Sequence, residues 1–313
     1  MKLIIDCDPG VDDAIALLLA FASPELEVLG ISNVAGNVSL ERIQKNARQI
    51  CELAGRHEAK IFPGCARPLV RKLETAEHVH GVSGLGGVTL PEPTMGVQPQ
   101  HGVDFLIETL MTAEDGEITL ATLGPLTNVA IALVKEPRII PKIQELVLMG
   151  GSQGQGNVTP TAEFNIYVDP HAAHVVFTSG LKLTMIGLNV THTVLSTAER
   201  IERIRANGNR ASQAAADMLT FYGKDERDQL ELPGAPLHDP CVIAYLLQPE
   251  LFVKRPYFVE VELNSPGSMG QTIVHKAEGS DRPNTSHPAN MDVVLKADAN
   301  GFYDLLTERL ARL

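Results

Sequence analysis

Apolar residues cluster in short blocks along the first two-thirds of the chain, and most blocks run into a turn followed by a stretch with helical spacing. Candidate strands are Lys2–Cys7, Glu27–Val34, Ala59–Phe62, Ile118–Thr122, Glu145–Met149 and Lys182–Leu188, each ending where Gly, Asn or Asp begins. Near-continuous apolar runs of this length mark strands covered on both faces, as in a parallel sheet. Helices are predicted over Asp12–Ala22, Leu40–Ala54, Val103–Thr112, Leu126–Lys135, Pro170–Ser179, Ala211–Tyr222 and Asp239–Leu247. In the second of these, Leu40, Ile43, Ala47, Ile50 and Ala54 recur at steps of three and four, and Gly55 follows as a stop signal. The tail adds strand-like Tyr257–Leu263, Thr272–Lys276 and Met291–Lys296, then a helix over Gly301–Arg312. The alternation predicts an α/β fold with an open, mostly parallel central sheet flanked by helices, and such sheets bind ligands at the C-terminal ends of their strands.

Two stretches break the alternation: Arg67–Gln100, rich in His, Gly and Pro, and Gly223–Pro236, charged and then rich in Gly and Pro. Loops that long within a domain are usually functional or disordered. No repeat, low-complexity tract or linker divides the chain, so residues 1–313 are expected to form a single domain.

Charge narrows the choice of partner. The formal net charge is −12 and no run of Lys and Arg occurs, which argues against nucleic acid and for a small, neutral or cation-assisted substrate. No apolar stretch reaches the roughly 20 residues that span a bilayer, and the N-terminus lacks a charged segment leading into a cleavable apolar one. A soluble, cytoplasmic protein without membrane partners is expected. Cys7, Cys51, Cys65 and Cys241 form no CxxC pair, consistent with reduced thiols.

The first strand runs into Asp6-Cys7-Asp8-Pro9-Gly10-Val11-Asp12-Asp13, which places four carboxylates within eight residues. Helix capping accounts for Asp12 and Asp13, each worth about 0.3–1 kcal/mol at a helix N-terminus. Asp6 and Asp8 share one face of the strand end and gain nothing from capping. Clustered carboxylates raise one another's pKa unless a cation separates them. Oxygen donors without a nearby Cys or His pair favour a hard ion, Ca²⁺ or Mg²⁺.

A second polar group, Leu237-His238-Asp239-Pro240, opens another helix. Asp239 could cap that helix, or it could supply a remote carboxylate to the first cluster. His238 beside it would suit general acid chemistry. Asn157 and Ala162-Glu163-Phe164-Asn165 form a polar loop after the Glu145–Met149 strand, and the Leu123-Gly124-Pro125 turn could offer a free carbonyl to an ion.

Together these residues resemble the inosine-uridine preferring nucleoside hydrolases. The likeness starts in Asp6–Asp13 and continues through Val34-Ala35-Gly36-Asn37, His80-Gly81, Leu123–Asn128, Met149-Gly150-Gly151, Ala162–Asn165 and Leu237-His238-Asp239, in order along nearly the whole chain. It implies a Rossmann-like nucleoside hydrolase fold and hydrolysis of ribonucleosides to free base and ribose. It further implies that Asp8, Asp13, Asp239 and the carbonyl of Leu123 hold a Ca²⁺ ion, with Asp8 as the base that activates a Ca²⁺-bound water. Asp12, Asn37, Asn157, Glu163 and Asn165 match residues that hold the ribose hydroxyls, Met149 one that lines the sugar, and His80 one that contacts the base. His238 matches a residue that assists base departure. A homo-oligomer, dimer or tetramer, is implied by the same likeness.

Gly223–Pro236 lacks the Gln and Tyr pair of some pyrimidine-preferring members, although Tyr222, Arg227 and Gln229 could each reach a base. With His238 present, pyrimidine or broad use is favoured over strict purine use. Two rivals share some features: a haloacid-dehalogenase-like phosphatase, which also begins with a strand ending in Asp-x-Asp, and a non-catalytic nucleoside-binding module.

Overall fold

The computed structural model describes residues 1–277, 282–284 and 286–313. Strand β1 (Lys2–Cys7) shows how the sheet is built: Leu3, Ile5 and Cys7 pack into one apolar cluster and Ile4 into the cluster on the opposite face, all fully buried. Alternation at period two with both faces apolar makes β1 a central strand. Next come β2 (Glu27–Asn33), β3 (Ile61–Pro63), β4 (Ile118–Thr122), β5 (Ile143–Met149), β6 (Leu183–Ile186), β7 (Phe252–Tyr257) and β8 (Met291–Ala297). They form one eight-stranded sheet in the order β3-β2-β1-β4-β5-β6-β8-β7, parallel throughout except that β7 runs antiparallel along the β8 edge. The strand order reverses between β1 and β4, and a crevice at such a switch point is where open α/β sheets take ligands.

Helix α1 (Val11–Phe21) follows β1 after the turn Asp8-Pro9-Gly10, and every one of its residues is buried. Burying Leu17, Leu18 and Leu19 contributes about 1.5–3 kcal/mol per side chain, enough to hold the preceding acidic turn rigidly against the sheet. On the other face, α2 (Thr127–Lys135) contributes Val129, Ala130 and Leu133 to the apolar cluster that also holds Ile118 and Leu120 of β4, and presents Asn128 to the end of β1. Near the C-terminal end, α3 (Lys224–Gln229) and α4 (Pro240–Leu247) flank the segment that carries His238 and Asp239. Among the described residues no helix is long and apolar enough to cross a membrane.

The elements depart from the sequence expectations at several points, including the helix Ala198–Arg205, which no expected element covers. The strand expected over Lys182–Leu188 stops at Ile186, because Gly187 starts the short helix Leu188–Thr191. The expected strand Tyr257–Leu263 is divided: Tyr257 ends β7, while Val259–Val261 pairs with Thr272–Val274 in a separate ribbon. In β7, Val253, Lys254, Arg255 and Pro256 face outward or sit half-buried between buried Phe252 and Tyr257, so the apolar signal is diluted as usual for an edge strand. Gly223–Pro236, expected as an irregular loop, contains α3 and a two-residue strand, Ala235–Pro236, paired with Leu195–Ser196.

Candidate active site

The end of β1 delivers its acids into a fixed frame. Asn128 donates from Nδ2 to Asp6 Oδ2 at 2.8 Å and also reaches Ser32 Oγ and the Asn33 carbonyl, both at 3.0 Å. Burial pushes the Asp6 carboxyl up to about 7, against the lowering effect of those donors. Asp6 thus ties α2 to the strand ends beneath the cavity rather than facing it.

Asp8 is fully buried, and its Oδ2 accepts the Asn37 backbone N–H at 2.7 Å, while its Oδ1 has no hydrogen-bond partner. A Cβ on Gly36 would collide with Oδ2, and a Cβ on Gly124 with Oδ1. Two glycines from separate loops therefore make room for a single carboxylate, the physical reason for both the Ala-Gly-Asn and the Leu-Gly-Pro sequences. Asp13 accepts from the backbone N–H of Asp8 at 3.1 Å and of Gly10 at 2.9 Å, and from Asn37 Nδ2 at 3.0 Å. It therefore closes the acidic turn as well as capping α1.

Asp239 occupies the capping position of α4 but makes no capping hydrogen bond. Its carboxyl turns instead to Asp13. One carboxylate oxygen from each of Asp12, Asp13 and Asp239 lies within 4.8 Å of the others, all three side chains being buried. Of the expected ligand set, then, Asp13 and Asp239 meet directly. Asp8 lies outside that mutual radius, drawn to Asn37, and Asp12, expected on the ribose, lies within it. The Leu123 carbonyl lines the same cavity and accepts from Asn165 Nδ2 at 2.7 Å.

Burial, followed by mutual repulsion, holds the carboxyls of Asp8, Asp13 and Asp239 well above the usual carboxylate range. Among the described residues the only buried side chains that could carry positive charge are His80, His238 and Arg309, and Arg309 is paired with Glu25. Uncompensated buried charge costs several kcal/mol per ion by the usual reckoning of roughly that size. Asp8 Oδ1 and Asp12 Oδ1 are both buried without a partner. An all-oxygen donor set with orphaned lone pairs fits a hard divalent cation.

The remaining predicted residues line one cavity of about 560 Å³. Glu163 accepts three backbone N–H groups, from Gly151, Asn165 and Ile166, and so shapes the wall as much as it faces it. Asn165 Nδ2 also reaches the Met149 carbonyl at 3.1 Å, and Asn157, on the exposed side, accepts from Phe164 N–H at 3.1 Å. His80 Nδ1 accepts the Val11 backbone N–H at 3.1 Å, which leaves its proton on Nε2. Burial holds this imidazole down to about 4, so it is neutral.

Opposite the acids, Tyr222 hydrogen-bonds Asp12 and stands between His80 and His238, its ring centroid 5.4 and 6.3 Å from theirs. His238 Nδ1 meets Thr191 Oγ1 at 2.7 Å, and its Nε2 meets Glu226 Oε2 at 3.2 Å. The other oxygen of Glu226 takes His192 Nε2 at 2.9 Å. Tyr222 and Gln229 line the cavity, whereas Arg227 is half-buried and pairs with Asp228. Sequence reasoning missed Glu226 and His192: neither lies in a motif, and the only available signal was their position in segments that the apolar pattern left unassigned.

A switch-point crevice that brings acids from both ends of the chain against one cavity is the frame of an enzyme for a small ligand held at an acidic centre. The chain matches the inosine-uridine preferring nucleoside hydrolase family over residues 3–304 and belongs to it. It is an enzyme acting on N-glycosyl bonds. It is 45% identical to the pyrimidine-specific ribonucleoside hydrolase RihA of Photobacterium profundum, with 99% of this chain and 98% of that protein covered. Among solved structures it is similar to a purine-preferring ribonucleoside hydrolase from Gardnerella vaginalis, with a TM-score of 0.90, 34% identity and coverage of 99% and 98%. A plant nucleoside hydrolase aligns over the same shares of the two chains, with a TM-score of 0.90 and 32% identity. Neither the phosphatase reading nor the non-catalytic one is favoured beside these matches.

Proposed function

We propose that this enzyme hydrolyses the N-glycosidic bond of ribonucleosides, with pyrimidine or broad base use, through a Ca²⁺ site formed by Asp8, Asp13, Asp239 and the Leu123 carbonyl. The observation that carries the reading is the buried meeting of Asp12 and Asp13 with Asp239, beside the partnerless Oδ1 of Asp8. When bound, the cation supplies the charge neutralisation this cluster lacks and makes nearby water and hydroxyl oxygens more acidic. Asp8 takes the proton of the attacking water on its free Oδ1, which Gly124 leaves unobstructed. Asp12, Asn37, Asn157, Glu163 and Asn165 hold the ribose hydroxyls, with Met149 against the sugar, and that positioning converts a chance encounter into an aligned attack. As the C–N bond breaks, its electron pair passes to the base nitrogen and positive charge grows on the ribose, where the surrounding carboxylates stabilise it. His238 assists the departing base, and His80 offers it an Nε2–H.

Pyrimidine or broad use is supported by the name of the 45% identical relative and by the two imidazoles at the base end. Residues 1–313 act in this reading as one hydrolase domain. The test is release of free base from uridine, cytidine, inosine, adenosine and guanosine, with and without chelator. Fastest release from uridine or cytidine, abolished by chelation and restored by Ca²⁺, is expected. No base from any of the five, or inorganic phosphate from a simple phosphomonoester instead, would overturn it.

A further inference from the structure

Glu226 is a carboxylate at the base end of the cavity that the acid cluster does not use. It lies on α3, 19% exposed at the side chain, and each of its oxygens is engaged by a different imidazole. The two nitrogens of His238 face different surroundings. Nδ1 points at Thr191, which is fully buried, whereas Nε2 points at Glu226, which lines the cavity. An ionised carboxylate only accepts hydrogen bonds, so the nitrogen it holds must be the one that carries a proton. The acceptor role rests on the two imidazole contacts at 2.9 and 3.2 Å; burial opposes ionisation of Glu226, while His238 and then His192 pull its carboxyl below the usual range.

We propose that Glu226 is the positioning residue of the leaving-group end: bridged between His192 and His238, it fixes the ring of His238 with Nε2–H on the cavity side, ready for the departing base. The assignment rests on the nucleoside hydrolase reading above and deepens it. Thr191 completes the arrangement from behind, because its hydroxyl satisfies Nδ1 and keeps the ring from flipping. His192 holds the second oxygen, so the carboxylate cannot swing away from His238. A carboxylate hydrogen-bonded to an imidazole orients the ring and selects its tautomer, here from the cavity side, with Thr191 behind. The electron count closes without the ring losing a proton: the glycosidic C–N pair goes to the base nitrogen, and the negative charge growing there is stabilised by the Nε2–H of His238, shared between the base and Glu226 across the long 3.2 Å contact.

The experiment compares wild-type, E226A, E226Q and H238A enzymes, all saturated with Ca²⁺, on uridine and on 4-nitrophenyl riboside, whose leaving group needs no proton. E226A is expected to lower kcat on uridine by about ten- to a hundredfold, the scale of a misplaced catalytic group, with KM little changed and the activated substrate affected less than about threefold. E226Q, whose amide oxygen still accepts from one imidazole, should fall between wild type and E226A. In ¹⁵N-histidine-labelled protein, with His238 signals identified by their loss in H238A, the wild-type Nε2 should report a bound proton. In E226A, or in E226Q should the alanine variant not fold, its shift should move towards that of a ring exchanging between tautomers. Equal losses on both substrates, a change in KM alone, or unchanged His238 shifts would overturn the assignment while leaving the hydrolase reading intact. A wild-type enzyme that releases no base overturns both.

Discussion

At the scale of single residues the site depends as much on missing side chains as on present ones. Gly124 has no Cβ where one would strike Asp8 Oδ1, the oxygen that has no partner. Gly124→Ala is therefore expected to reduce kcat by about a hundredfold while circular dichroism stays unchanged, since a displacement near 1 Å at a reacting group costs about that much. His80 gives a different signature. Burial holds it at about 4 against an ordinary 6.5, so the unfolded chain takes up a proton that the native chain refuses. Its contribution to stability is full above pH 6.5 and is lost as the pH falls towards 4. Urea midpoints measured across that window with Ca²⁺ present should fall less steeply for His80→Gln than for wild type.

At the scale of elements, the apolar pattern was most readable where both faces of a strand, or one stripe of a helix, carried the burial. Lys2–Cys7 and Ile118–Thr122 match their expected spans, and the helix that begins at Leu40 ends one residue early, at Leu53. The acidic turn was legible as candidate chemistry because capping leaves Asp6 and Asp8 unexplained, and the His238-Asp239 pair because the first cluster lacks a remote carboxylate and the family resemblance extends to it. Glu226 was not, because Lys224–Gln229 is a charged single-helix segment with no buried residue, and a solvent face and a cavity face look alike in such a sequence. His192 follows a four-residue helix too short to show any period. Stability at this scale is carried by α1. Leu18→Ala should cost about 2–5 kcal/mol by the record of buried Leu truncations, read as a drop in the urea midpoint at unchanged m-value.

At the scale of the whole molecule, the acid cluster couples distant parts of the chain. Asp12 and Asp13 enter from the first strand–helix turn, and Asp239 enters from the start of α4. A ligand that binds only this assembled group stabilises the fold by mass action, about 2.7 kcal/mol at a hundred times its Kd. Calcium should therefore raise the melting temperature and chelator should lower it, in a calorimetric scan. Asp239→Asn should invert the first half of that result: in chelator it removes a carboxyl that burial and its acidic neighbours disfavour and melts higher than wild type, yet it gains far less from added Ca²⁺. Equal gains in the two proteins would exclude Asp239 from the cation site.

The distance in sequence between Asp13 and Asp239 has a consequence for how the enzyme comes into being. During synthesis the first strand and its helix emerge long before the segment that completes the cluster, so a nascent chain carries a bundle of like charges with nothing to reconcile them. Only when residue 239 has left the ribosome and docked does the cluster of Asp12, Asp13 and Asp239 exist. On the proposed reading, a chain that stops short of residue 239 lacks one of the three converging carboxylates and is inert towards nucleosides.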